Sequence, residues 1–70
     1  MNGTNGMDNR VRELREANTW SIAKLAREAG VTDQTISKME KNQRTTRVSK
    51  LKVAKAFGVK LHEVFPGEGA

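Results

Sequence analysis

In the stretch REAGVTDQTISKME, residues 27–40, a glycine, an apolar residue and a threonine stand between two segments that each carry helical periodicity. Before the glycine, Ile22, Leu25, Ala26 and Ala29 recur at i, i+3, i+4 and i+7, the spacing of one helical face. After it, Ile36, Met39 and Glu40 cluster on one side of a second helix, and Gln34, Ser37, Lys38 and Lys41 on the opposite side. Gly30 stands where the chain must turn left-handed to leave the first of these helices. That conformation costs glycine little and most residues about 1 kcal/mol or more. Thr32 then reads as the N-cap of the next helix, with Val31 placed to pack on Ile36. The sharp turn is encoded locally, and it leaves a wholly polar helix face with nothing to pack against.

The same reading extends along the chain. A first helix opens with Asp8 or Asn9 as N-cap and runs to about Ala17, with Val11 and Leu14 inward; Asn18 and Thr19 end it. Ser21 caps the second helix, and Trp20 is expected to fold back on Leu25 as a hydrophobic staple. The third helix is expected from Asp33 to Lys41. After the loop NQRTT, a fourth starts from Thr45 or Thr46 and ends at Phe57, with Val48, Leu51, Ala54 and Phe57 inward and Gly58 as the stop. A short fifth helix, Leu61 to Phe65, is terminated by Pro66 and Gly67. The expected class is all-α.

A chain of 70 residues makes one domain near the lower limit for unassisted folding, where a core supplies only about 3–5 kcal/mol and no substrate cleft fits. Cysteine is absent, so neither a disulfide nor a thiolate metal site staples the fold, and a reducing compartment is permitted. Residues 1–7, rich in Asn and Gly, bury too little apolar area to offset ordering entropy; they are expected to be a disordered arm or a cloning remnant. The domain is expected over 8–66, with 67–70 a flexible end. No apolar run approaches the roughly 18 residues of a membrane span, and the start lacks the pattern of a signal peptide, so a cytoplasmic location is expected.

The net charge is +5, and its distribution is uneven. Lys38, Lys41, Arg44, Arg47, Lys50, Lys52 and Lys55 fall in one block that holds a single acid, Glu40, which points to a polyanionic partner. Catalytic chemistry finds no support: there is no glycine-rich phosphate loop, no nucleophile with a base and no convergent carboxylate pair. His62 is the only histidine and lacks a companion ligand for a metal. No enzyme activity and no cofactor are expected.

The order S-I-A-K-L-A-R-E-A-G-V-T-D-Q-T-I-S-K-M-E, a basic loop, and V-A-K-A-F-G-V-K-L-H-E-V-F resembles the Cro and phage-repressor type of helix-turn-helix domain, also called XRE-like or lambda-repressor-like, over about residues 8–66. The resemblance implies a compact five-helix lambda-repressor-like domain in which helices 2 and 3 form the motif and helix 3 lies in the DNA major groove. Two departures stand out. Ile22 occupies the place where many family members carry a phosphate-holding glutamine, which shifts that contact to Ser21 or to backbone amides. Thr45 and Thr46 replace a proline often found in the loop after helix 3.

Base contacts are expected from Gln34, Ser37, Lys38, Asp33 and Thr35. Gln34 can donate to and accept from adenine together; Lys38 can donate to guanine or to a phosphate, or simply keep the face soluble; Ser37 suits any base. Thr35 can meet a thymine methyl or pack within the domain. Asp33 can accept from cytosine or answer only to the helix dipole. The resemblance places phosphate contacts on the loop and helix starts: Ser21, Thr32, Lys41, Arg44, Thr45, Thr46, Arg47 and Lys50. Arg15 and Glu40 both fall near inward stripes, where a lone charge is costly, and are expected to pair; the resemblance agrees.

These expectations converge on a sequence-specific, double-stranded DNA-binding regulator of bacterial or phage type. A single module reads few base pairs, so binding as a homodimer on two half-sites is expected, with Val59, Leu61, Val64 and Phe65 as candidate dimer contacts or, alternatively, as caps of the core. The alternatives are an adaptor that grips another protein, such as an antirepressor or antitoxin, and a DNA-bending recombination accessory factor.

Overall fold

A computed structural model describes residues 9–67. They form α1 (Val11–Ala17), α2 (Ile22–Ala29), α3 (Asp33–Glu40), α4 (Arg47–Phe57) and α5 (Leu61–Val64), with no strand among them. The elements are all-helical and five in number, as the sequence led one to expect. The expected disordered arm over residues 1–7, and Asp8 as a cap, lie outside the described residues.

Three helices begin on a hydroxyl cap. Ser21, Thr32 and Thr46 each sit in extended conformation and accept a hydrogen bond from the backbone N–H three residues on, of Lys24, Thr35 and Ser49 respectively. Two helices end on a left-handed glycine: Gly30 at φ 77° and Gly58 at φ 74°. The Gly30 N–H returns to the Ala26 carbonyl, and Val31 N–H follows it to the same oxygen, closing α2 so that α3 can depart at once. At the start of α1, Asn9 Oδ1 accepts from Val11 N–H at 3.0 Å, although Arg10 is the residue that flanks the first helical turn.

Every helix contributes to one core. Val11, Leu25, Ile36, Met39, Val53 and Val64 are essentially inaccessible, Ala26, Ala54 and Phe65 complete the cluster, and no polar residue among those described is buried with them. α2 packs on α3 and α4, α4 on α5, and α1 on α3. Trp20, expected to staple onto Leu25, packs against this core with its ring stacked on Phe57 of α4, centroids 5.9 Å apart.

The inward stripe of α4 differs from expectation. Val48 and Leu51 are 61% and 47% exposed, whereas Val53 and Ala54 are buried and Phe57 is half-buried. The helix is rolled so that positions 50, 53, 54 and 57 face the domain, the i, i+3, i+4, i+7 spacing of one face. A lysine at position 50 disguises that stripe in the sequence. Lys50 is accommodated because its stem lies along the core edge with Nζ 5.6 Å from the centroid of the Phe65 ring. α3 and α5 each stop earlier than expected, with Lys41 and Phe65 as the flanking C-terminal residues.

Candidate nucleic-acid interface

Burial of Ile36 and Met39 fixes the roll of α3 about its axis and turns the opposite side outward. Gln34 and Lys38 are exposed on that side, Asp33 is exposed at its start, Lys41 is exposed at its end, and Ser37 is half-buried between them. Thr35 is half-buried and already engaged: its backbone N–H donates to the Thr32 hydroxyl at 3.1 Å, and the two hydroxyl oxygens are 2.9 Å apart. The structure therefore brings four of the five expected base-contacting residues onto one exposed or partly exposed face, with Thr35 at its margin in the cap.

Glu40 leaves the other side of α3. Its two carboxylate oxygens meet Arg15 of α1, Nε to Oε2 at 2.6 Å and Nη2 to Oε1 at 3.2 Å, while Arg15 Nη1 donates to the Trp20 carbonyl at 2.9 Å. The side chains retain only 13% and 11% of their exposure. The Glu40 hydrogen bond, opposed by burial and aided by the nearby negative charges of Glu40 and Glu16, holds the Arg15 guanidinium above its ordinary range. This bidentate pair anchors the last turn of α3 to α1 and, through Trp20, to the approach to α2.

The loop after α3 turns at Asn42, which adopts φ 59°, and Gln43 N–H closes back on the Lys38 carbonyl at 2.9 Å. Arg44, Thr46 and Arg47 then emerge exposed, with the hydroxyl of Thr46 held by the cap of α4. Ser21 and Thr32 are exposed at the starts of α2 and α3; the Ser21 hydroxyl keeps a proton to donate while its oxygen caps the helix, and the Thr32 hydroxyl shares its hydrogen bond with Thr35.

The structure corrects the expected roles of Thr45, Val64 and Phe65. The Thr45 hydroxyl is enclosed and has no hydrogen-bond partner, so it is not offered to a phosphate. Lys50 holds its ammonium 5.6 Å from the centroid of the Phe65 ring and lines one recess with Arg44 and Thr45. Val64 and Phe65 are 0% and 5% exposed members of the core, which excludes them as contacts for a second molecule. The exposed large apolar residues among those described are instead Leu51 and Val48, both expected inward on α4.

Among the described residues no three His, Cys, Asp or Glu side chains are grouped so that they could hold a metal ion. None of the described helices is long and apolar enough to cross a membrane.

The helix-turn-helix family model matches residues 11–64, from the first residue of α1 to the last of α5. The chain belongs to the helix-turn-helix family. Members of its XRE-type branch are DNA-binding transcription regulators and not enzymes, and this chain is one of them. It is similar to the uncharacterized HTH-type transcriptional regulator YgzD of Bacillus subtilis strain 168, with 40% identity over 60 residues, 84% of this chain and 91% of that protein. Its fold is similar to the crystal structure of the restriction-modification controller protein C.AhdI of Aeromonas hydrophila, with a TM-score of 0.73 and 35% identity over 80% of this chain and 86% of that one.

Proposed function

We propose that this helix-turn-helix protein is a sequence-specific regulator that places α3 in the major groove of double-stranded DNA and controls transcription from the operator it occupies. The observation that carries the reading is the roll of α3: burying Ile36 and Met39 leaves Gln34 and Lys38 outward with Ser37 half-buried between them, and Lys41, Arg44 and Arg47 follow exposed along the chain. Gln34 matches the donor and acceptor of adenine, and Lys38 suits guanine or a phosphate. Thr32 and Ser21, at helix starts, and Thr46, Arg44, Arg47 and Lys41 suit phosphate oxygens, which set register without reading sequence. Such a protein works in the cytoplasm, on the nucleoid.

Specific occupancy against competing DNA requires two half-sites about one helical turn apart, so the DNA-bound form is a homodimer. Leu51, 47% exposed, forms one wall of an open, mainly apolar recess of about 520 Å3 that Ala54, Gly58, Val59 and Leu61 also line, with Lys55 and Lys60 at its edge. An exposed leucine in a shallow apolar surface is the kind of patch that a second copy covers across a two-fold axis. The adaptor alternative has less to stand on, since the exposed face of α3 carries polar and cationic groups rather than apolar anchors.

Selection from random duplex DNA, followed by titration at several salt concentrations, tests the reading. An enriched motif is expected, with log affinity falling against log salt at a slope of roughly −5 for about six phosphate contacts. No enriched motif together with a flat salt response would reject it.

A further inference from the structure

Asn9 lies far in sequence from the basic block, yet its side chain spans the gap between α1 and the end of α3. Nδ2 donates to the Met39 carbonyl at 2.6 Å and to Asn42 Oδ1 at 3.1 Å, while Oδ1 accepts from Val11 N–H at 3.0 Å. Both ends of one carboxamide are thus in use. The next residue anchors the same point of the backbone to α5: Arg10 N–H donates to the Val64 carbonyl at 2.7 Å, and Arg10 Nη1 reaches the Glu63 carbonyl at 3.4 Å. Asn9 is therefore a bracket fixed to the scaffold at one side and gripping the exit of α3 at the other.

What it grips is the left-handed turn at Asn42, where Asn42 N–H returns to the Met39 carbonyl at 3.0 Å and Gln43 N–H to the Lys38 carbonyl at 2.9 Å. The direction in which the chain leaves that turn decides where Arg44, Thr46 and Arg47 stand relative to the outer face of α3. We propose that Asn9 is a positioning residue for DNA binding, holding the loop after α3 in the register that lets its cations reach the phosphates while α3 reads the bases. The proposal rests on the DNA-binding reading above. It adds that a residue touching no nucleotide sets the number of backbone contacts, because a contact group held loosely spends binding free energy on being ordered.

The deciding variant is Asn9→Ser. Serine caps a helix as well as asparagine does but is too short to reach Met39, and it leaves the charge unchanged. Asn9→Thr is the companion: it also caps a helix, adds no charge and is too short to reach Met39 and Asn42. Folding is checked by circular dichroism, and binding to the selected duplex and to base-substituted duplexes is measured across a salt series. Both variants are expected to be folded at 25 °C and to lose about five- to tenfold in affinity for every duplex alike, with the salt slope shallower by about 1 and the base preference unchanged.

Wild-type affinity and slope in Asn9→Ser overturn the proposal. So does a changed base preference, which would place the effect on α3 itself, and so does unfolding of both variants, which would make Asn9 a determinant of the fold alone. The DNA-binding reading fails separately, in the wild-type titration, if that shows neither motif nor salt dependence.

Discussion

Arg15 in α1 and Glu40 at the end of α3 face each other through two parallel hydrogen bonds, 2.6 and 3.2 Å long, in a site that leaves each side chain about one-eighth of its exposure. Removing either partner strands the other charge away from water, which costs about 3–5 kcal/mol. That is comparable with the whole stability of a domain this size. Glu40→Ala or Arg15→Ala is therefore expected to be largely unfolded at 37 °C by thermal melting, whereas the paired replacement Arg15→Met with Glu40→Leu recovers most of the loss. Single variants that melt like the wild type would show the pair to be solvated and dispensable.

Thr45 buries a hydroxyl that has no hydrogen-bond partner. Valine has nearly the same shape and no polar atom to desolvate, so Thr45→Val is expected to raise stability by about 1–2 kcal/mol in urea unfolding. The same variant is expected to bind DNA as the wild type does, since the hydroxyl does not face the loop's outer side. A drop in stability would mean that the hydroxyl has a partner after all.

Thr19 is a β-branched residue at φ 56°, in the turn between α1 and α2. Asparagine tolerates that region, and Thr19→Asn is expected to stabilise the domain by about 1 kcal/mol. Gly30→Ala makes the converse measurement. An added Cβ meets nothing within 4 Å at φ 77°, so its cost is conformational, again about 1 kcal/mol, and no clash enlarges it. A urea midpoint that moves the other way for either variant would contradict the turn geometry.

Leu51 is 47% exposed, so a charge placed there does not enter the core. Leu51→Glu is expected to leave affinity for an isolated half-site almost unchanged and to lower affinity for the two-half-site operator by about 100-fold, the gain that linkage of two weak sites supplies. Fluorescence anisotropy on the two duplexes makes the comparison. Equal losses on both would place Leu51 outside the contact between copies.

Much of this fold is legible because its signals are local. Ser21, Thr32 and Thr46 announce three helix starts, Gly30 and Gly58 two stops, and each does in the structure what its chemistry dictates. The Arg15–Glu40 pair is legible from two charges on inward stripes. The roll of α4 is not, because its apolar residues fit two stripes and the one that wins contains Lys50, whose burial depends on Phe65 fifteen residues away. The bracket at Asn9 is invisible in the sequence for a related reason. An asparagine before a helix reads as a cap, and nothing local shows that its other end reaches residues 39 and 42.

The groove placement of α3 is tested most directly by the binding of Gln34→Ala to the selected duplex and to a set changed one base pair at a time. A loss of about 1–3 kcal/mol confined to one base pair in each half-site, with the salt slope unaltered, is expected. Arg47→Ala, measured beside it, is expected to weaken all duplexes alike. A uniform loss from Gln34→Ala, or none, would contradict a reading face built on this side of α3.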